Sequence, residues 1–160
     1  MNIPQETETI LIRPGATLSS VAATDIINME NYDKVTYIVT MGTVTTGGAI
    51  SIREMDSVSD TVASESRLAL DFYWEKTHGA SGTITKTTAD SISSYGGITV
   101  ADADDSKMWI FTVRGSMLTS SNNCVALYFD TSAFNATPVQ VTAICQGARY
   151  QQAQPVTALA

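Results

Sequence analysis

The sequence alternates apolar and polar residues with a period of two, in short runs rich in Val, Ile, Thr, Tyr, Phe and Trp. This period places successive side chains on opposite faces of an extended chain, so the runs predict β-strands. Clusters of Gly, Ser, Asn and Asp separate the runs and predict turns. No window longer than one or two turns combines helical spacing of apolar residues with capping residues. The alternation therefore predicts an all-β fold.

Five runs give clear strand predictions, and four shorter runs give weaker ones. The clear runs are residues 34–41, 68–75, 108–113, 124–129 and 139–145, and the weaker ones are 9–12, 16–20, 83–87 and 98–100. Eight or more short strands with hydroxyl-rich connections are typical of a two-sheet antiparallel β-sandwich, either jelly-roll or immunoglobulin-like. We expect a sandwich, preferably jelly-roll-like, over residues 9–150, with an N-terminal arm over 1–8 and a C-terminal tail over 151–160.

Two runs carry further expectations about pairing and orientation. Residues 34–41 and 50–52 flank a turn at 45–48 and predict the two arms of a hairpin. Residues 68–75 predict a strand whose large alternate side chains, Trp74 among them, face the core. The sequence leaves the strand order open.

Length and charge limit the classes of partner. The 160 residues fit one domain with one core. A net charge of −7 repels phosphate backbones and anionic lipid headgroups, so we expect neither nucleic acid nor membrane as a partner. No apolar stretch approaches the roughly 18 to 20 residues of a membrane-spanning helix.

The two cysteines are interpreted as buried thiols. Cys124 and Cys145 lie inside apolar runs, without metal-ligand spacing and without a neighbouring basic residue that would favour a thiolate. The first residues lack the basic, apolar and small-residue series of an export signal, so we expect synthesis in a reducing compartment.

No group of residues predicts catalysis or metal binding. His78, the only histidine, lies in a Gly-containing loop, and no Gly-x-Ser-x-Gly elbow is present to supply a nucleophile. Asp102, Asp104 and Asp105 lie close together as a calcium loop would require, but they lack its central Gly and terminal Glu; a solvated turn is the simpler interpretation, and weak Ca²⁺ binding is the alternative. We therefore expect a protein without enzymatic activity, cofactor or metal.

Several segments, in their order along the chain, resemble the family of tailed-bacteriophage head decoration proteins, also called capsid cement proteins. The similar segments are a polar, Met, acidic, Asn, Tyr lead into a strand (25–35), a Gly/Thr/Ala hairpin (42–50), a turn in which Ser59-Asp60 replaces the family's Gly (55–61), an acidic turn followed by Lys, an apolar strand and Arg (104–114), and a Gly-x-Arg-Tyr ending (147–150).

This resemblance implies a structural virion protein on the outer capsid surface, made in the host cytoplasm. It further implies a homodimer or homotrimer that clamps neighbouring subunits of the major capsid protein, with no cofactor and no reaction. Another virion component, from the tail or the head-tail junction, remains an alternative. So does a carbohydrate-binding or enzymatic β-sandwich, for which exposed aromatic side chains at Tyr73, Trp109 and Tyr150 would form a stacking platform.

Four residues are candidates for an interface. Arg114, Arg149 and Tyr150 belong to the residue types that most often anchor protein contacts, and an internal ion pair is the alternative for the arginines. Trp109 is a weaker candidate. It lies in residues 108–113, which are apolar on both faces and so predict a central strand or one covered at an interface.

Overall fold

The computed structural model describes residues 7–18, 22–44, 46–70, 72–77, 84–88, 97–101, 104–130, 134 and 137–148. Within these ranges, twelve strands form two antiparallel sheets packed face to face. Sheet A contains β1 (Thr7–Leu18), β4 (Tyr32–Met41), β7 (Phe72–Thr77), β8 (Thr85–Thr88), β10 (Lys107–Arg114) and β12 (Thr137–Ala148). Sheet B contains β2 (Ala22–Ala23), β3 (Ile27–Asn28), β5 (Gly48–Met55), β6 (Ser66–Arg67), β9 (Ile98–Val100) and β11 (Cys124–Asp130).

The strand pairing is that of a jelly roll. Strands from the two halves of the chain pair in nested order, β1 with β12, β2 and β3 with β11, β4 with β10, and β5 with β9. Rolling up this long antiparallel hairpin brings β12 beside β4 and β11 beside β5. The predicted all-β sandwich of jelly-roll type is confirmed.

The core lies between the inner faces of the two sheets. Alternate residues of each central strand point inward, as period-two geometry requires. In sheet A, Tyr37, Trp109 and Phe111 are buried, and Leu127 and Phe129 oppose them from sheet B. Burying a side chain of this size stabilises the fold by about 1.5–3 kcal/mol relative to exposure, so the inner faces supply most of the driving force for sheet packing.

A second, smaller core lies on the outer side of sheet B. Met55, Cys124 and Ala126 are covered there by Val62, which lies in the short 3-10 helix Val62–Ser64. Cys124 is 1% exposed, and burial raises the pKa of its thiol to about 11, with smaller contributions from nearby carboxylates. Both cysteines are buried free thiols, which confirms that prediction.

The predicted hairpin between residues 34–41 and 50–52 is wrong. The two runs are the strands β4 and β5, but β4 lies in sheet A and β5 in sheet B, so the chain crosses between the sheets. Residues 51–55 are buried on both faces, which requires a position inside a covered sheet rather than at the second arm of an exposed hairpin.

The predicted single strand over 68–75 is also wrong, and with it the inward orientation of Trp74. The chain leaves sheet B after β6 and enters sheet A at β7. Tyr73 then packs against Phe111, at 6.2 Å between ring centroids, while Trp74 points outward and is 37% exposed. Because side chains alternate, the break at residues 68–70 reverses the face on which each later residue lies.

The described part of the sandwich begins with β1 and ends with β12. β1 begins at Thr7, two residues before the predicted start, and joins the two weak runs 9–12 and 16–20 into one irregular strand. The tail at 151–160 lies outside the described residues. In the part of the chain that the structure describes, no helix is long and apolar enough to span a membrane.

Candidate interaction surface

The structure places two of the four candidate contact residues. Arg114 is exposed at the end of β10. The expectation that Trp109 is an exposed aromatic is wrong, because its side chain is 1% exposed in the core. Trp109 lies on the same face of β10 as the inward-facing Phe111 and Val113, so its side chain points into the core. Arg149 and Tyr150 lie outside the described residues.

The outer face of sheet A is the surface formed by the alternate residues of β4, β7, β8, β10 and β12 that point away from sheet B. Antiparallel register places directly paired residues on one face, which defines this surface. Ile110 pairs with Ile38 on one side and with Trp74 on the other. Met108 pairs with Thr40 in the next row.

The middle of this surface is apolar. Ile38, Met108, Ile110 and Ile144 are half-buried there, and Trp74 is one of three large apolar side chains that are exposed among the described residues. We call these five residues the apolar centre. The predicted apolar character of both faces of residues 108–113 is thus confirmed, and β10 is a central strand between β4 and β7.

Basic residues lie beside the apolar centre towards both ends of β10. Lys34, Lys76, Lys86 and Arg114 all occupy outer-face positions, because they pair with Gln146, Met108, Trp74 and Lys34 respectively. We call these four residues the basic rim. At the described outer-face positions of the same five strands, no acidic residue occurs, although the chain has 16 acidic and 9 basic residues. Charge is therefore segregated on this molecule.

Acidic residues near sheet A lie at its inner side and fasten a loop. Asp104 binds the Lys107 ammonium at 2.5 Å and accepts a hydrogen bond from the Ala101 backbone N–H at 2.8 Å. Asp105 accepts a hydrogen bond from the Val44 backbone N–H at 2.6 Å. The hydrogen bond with Asp104 is the main reason that the pKa of Lys107 lies above its usual value.

The loop carboxylates therefore act as structural groups. Asp102, the third member of the candidate calcium loop, lies outside the described residues. Among the residues that the structure describes, no three His, Cys, Asp or Glu side chains come together as metal ligands would.

A shallow concavity of about 300 Å³ lies beside the outer face, between residues 40–42, Ser106 and residues 138–140. This volume is at the lower end for small-molecule pockets. Its lining contains no ionisable side chain. Thr40 and Gln140 belong both to this concavity and to the outer face of sheet A, so the concavity extends that face.

The aromatic platform proposed for sugar stacking is not assembled by the described residues. Trp109 is buried, Tyr73 packs against Phe111, and Tyr150 lies outside the described residues, as does His78. Sequence reasoning missed Trp74 and the lysines of the basic rim. The alternation in residues 34–41 already groups Lys34 with Ile38, but only the strand register shows that Lys76 and Trp74 share their surface.

No family model and no curated protein sequence matches the chain. A crystal structure of the SPBc2 prophage-derived protein YomS is similar to this chain with a TM-score of 0.42 and 11% sequence identity, over 89% of this chain and 94% of that one. A structure of infectious bursal disease virus, Gx strain, is similar with a TM-score of 0.27 and 12% identity, over 87% of this chain and 40% of that one.

Proposed function

We propose that this protein is a structural virion component that decorates the outside of a phage capsid. It binds subunits of the major capsid protein and copies of itself, and it performs no reaction. The resemblance of five segments to head decoration proteins supports this proposal, and the β-sandwich fold is the one that this resemblance implies.

The observation that carries the proposal is the apolar centre on the outer face of sheet A. A sheet face that turns away from the core ordinarily carries polar side chains. Here Trp74, Ile110 and Ile38 lie side by side across three strands, with Met108 and Ile144 next to them. Contiguous apolar surface rimmed by polar residues is typical of a protein-binding site.

The dimensions of this surface fit a contact that is weak by itself. Five strands, each about 4.8 Å wide, and four rows of side chains, each about 6.8 Å long, cover at most about 650 Å². One partner in an interface of standard size contributes about 800 Å². Linking two or three copies in a homo-oligomer multiplies such a contact, because the second binding event becomes intramolecular.

Binding of this kind stabilises a capsid by mass action. A protein that binds the assembled lattice more tightly than the free subunits shifts the equilibrium towards the intact shell. Many copies on one shell add many small contributions.

The experiment that tests this function has two parts. Light scattering on the purified protein gives its mass, and co-sedimentation with assembled shells lacking the protein gives its binding. We expect a dimer or trimer that pellets with intact shells and stays in the supernatant with free capsid subunits. A monomer that never pellets would refute the proposal, and a six-membered ring would favour a head-tail or tail component instead.

A further inference from the structure

We propose that the outer face of sheet A binds an acidic protein surface on the assembled shell, with the apolar centre in the middle of the contact and the basic rim around it. This inference rests on the proposed function and adds to it the docking face and the chemistry of the partner.

Basic and acidic residues are unevenly distributed over the molecule. The basic rim holds four of the nine basic residues, which leaves five for the rest of the chain against all 16 acidic ones. On a molecule with a net charge of −7, a surface that has basic residues and no acidic residue at its described positions favours a negative partner locally. Complementary charge of this kind steers association and suppresses wrong partners.

Lys34 and Arg114 form a cross-strand pair of like charges in the basic rim. These residues are directly opposite each other on β4 and β10. Like charges at such cross-strand positions destabilise a sheet. Within the described part of the chain, neither residue forms a salt bridge, whereas Lys107 pairs with both Glu75 and Asp104. A carboxylate from a partner, placed between Lys34 and Arg114, would relieve their repulsion and accept charge-assisted hydrogen bonds from both.

The arrangement of charged and apolar side chains on this face favours a protein partner over a nucleic acid or a membrane surface. The positive charges lie at the edge, while the middle of the face presents Trp74, Ile110 and Ile38. An apolar middle with a polar rim is the anatomy of protein–protein interfaces. A phosphate backbone carries charge along its whole length and would meet these apolar side chains in the middle of the face, where it gains no ion pair.

The test compares two variants of equal net charge. The double variant Lys34→Gln/Arg114→Gln removes two positive charges from the basic rim. The control Val58→Glu/Thr99→Glu adds two negative charges at exposed positions outside sheet A. Both variants have a net charge two units more negative than the natural chain. All three proteins are titrated onto assembled shells lacking the protein, at several NaCl concentrations, after thermal unfolding has shown that each is folded.

We expect the rim variant to bind shells about three- to tenfold more weakly at low salt, with a shallower salt dependence, since two exposed ion pairs together contribute about 0.7–1.4 kcal/mol. The control should bind within about twofold of the natural chain. Trp74→Ser should weaken binding at all salt concentrations, because it removes apolar contact area rather than charge.

Three outcomes would overturn the inference, and they are distinguishable. If the natural chain binds shells and the rim variant binds equally well, the docking face is wrong while the proposed function stands. If the natural chain does not bind shells at all, both fail. If it binds a double-stranded DNA oligomer or anionic vesicles, and the rim variant loses that binding, the partner is a phosphate-bearing polyanion and not an acidic protein.

Discussion

The hydroxyl of Tyr37 connects the two sheets, and its removal tests how they are held together. Tyr37 lies on the inner face of β4 with no exposed surface, and its hydroxyl donates a hydrogen bond of 3.3 Å to the Val125 carbonyl on β11. Tyr37→Phe keeps the ring and deletes this bond. A buried hydrogen bond contributes about 1 kcal/mol, and the length of this one favours a loss of about 0.5–1 kcal/mol. For a domain of this size, such a loss lowers the Tm by about 1–4 °C.

The same residue predicts how stability depends on alkaline pH. Burial, followed by the nearby Cys145 and Cys124, raises the pKa of Tyr37 well above its usual value. Above pH 10 the unfolded chain releases the tyrosine proton and the folded chain keeps it, so the folded state loses stability as the pH rises. The slope is at most about 1.4 kcal/mol per pH unit for one group. Tyr37→Phe has no tyrosine proton at this position, so the amount by which it is less stable than the natural chain should shrink above pH 10.

The assay is urea unfolding followed by circular dichroism at pH 7 and at several values between pH 9 and 11. Tyr128→Phe is the matched control, because the Tyr128 hydroxyl has no hydrogen bond among the described residues. Its ring, over which the Arg53 guanidinium lies at 4.9 Å, is kept in the variant. Equal losses of unfolding free energy in Tyr37→Phe and Tyr128→Phe would refute the reasoning. So would a difference in unfolding free energy between Tyr37→Phe and the natural chain that stays constant from pH 7 to 11.

Three further predictions concern other groups. Cys124 is buried and its thiol has a pKa of about 11, so it should not react with iodoacetamide at pH 8.5 in the folded protein and should react once urea has unfolded the chain. Equal reaction rates in the folded and unfolded protein would contradict the burial. A hydrogen bond and charge repulsion from Asp60 raise the pKa of the Asp56 carboxyl. The folded state therefore holds the Asp56 proton more tightly than the unfolded chain does, and it loses stability as the pH rises from the pKa of the unfolded chain to that of the folded state. Asp56→Asn should therefore raise the Tm at pH 7 and leave it unchanged at pH 3, and calorimetry at both values checks this. The buried Thr137 hydroxyl has no hydrogen-bond partner among the described residues, so Thr137→Val should stabilise the fold by up to about 1 kcal/mol, and a lower midpoint in urea would reveal a missed bond.

The strands that sequence reasoning located best are the long apolar runs. Residues 34–41 and 139–145 correspond to β4 and β12, because alternation is uninterrupted there and the buried set is strongly apolar. Residues 124–129 correspond to β11, which is apolar throughout because both of its faces are covered. The very short strands β2 and β3 escaped detection, since two residues cannot show a period.

The candidate surface was harder to predict than the strands. Arg114 was identified from its residue type and does lie on the outer face of sheet A, whereas Trp109 was assigned the wrong exposure. Trp74 was assigned to the core because the run 68–75 was treated as one strand. Its true position depends on the break that moves the chain from sheet B to sheet A.

The sequence alone was sufficient to show that this chain forms β-strands, which residues of β4 face inward, and that its two cysteines are buried thiols. These properties are local, because the side-chain period of a strand and the polarity of each residue do not depend on distant partners. Only the tertiary structure decided that β4 and β5 belong to different sheets, and that Lys34, Lys76 and Trp74 lie on one surface. Backbone hydrogen bonds between strands are nearly independent of sequence, so pairing and register are fixed by how the whole chain packs, and the outer face of sheet A exists only once they are fixed.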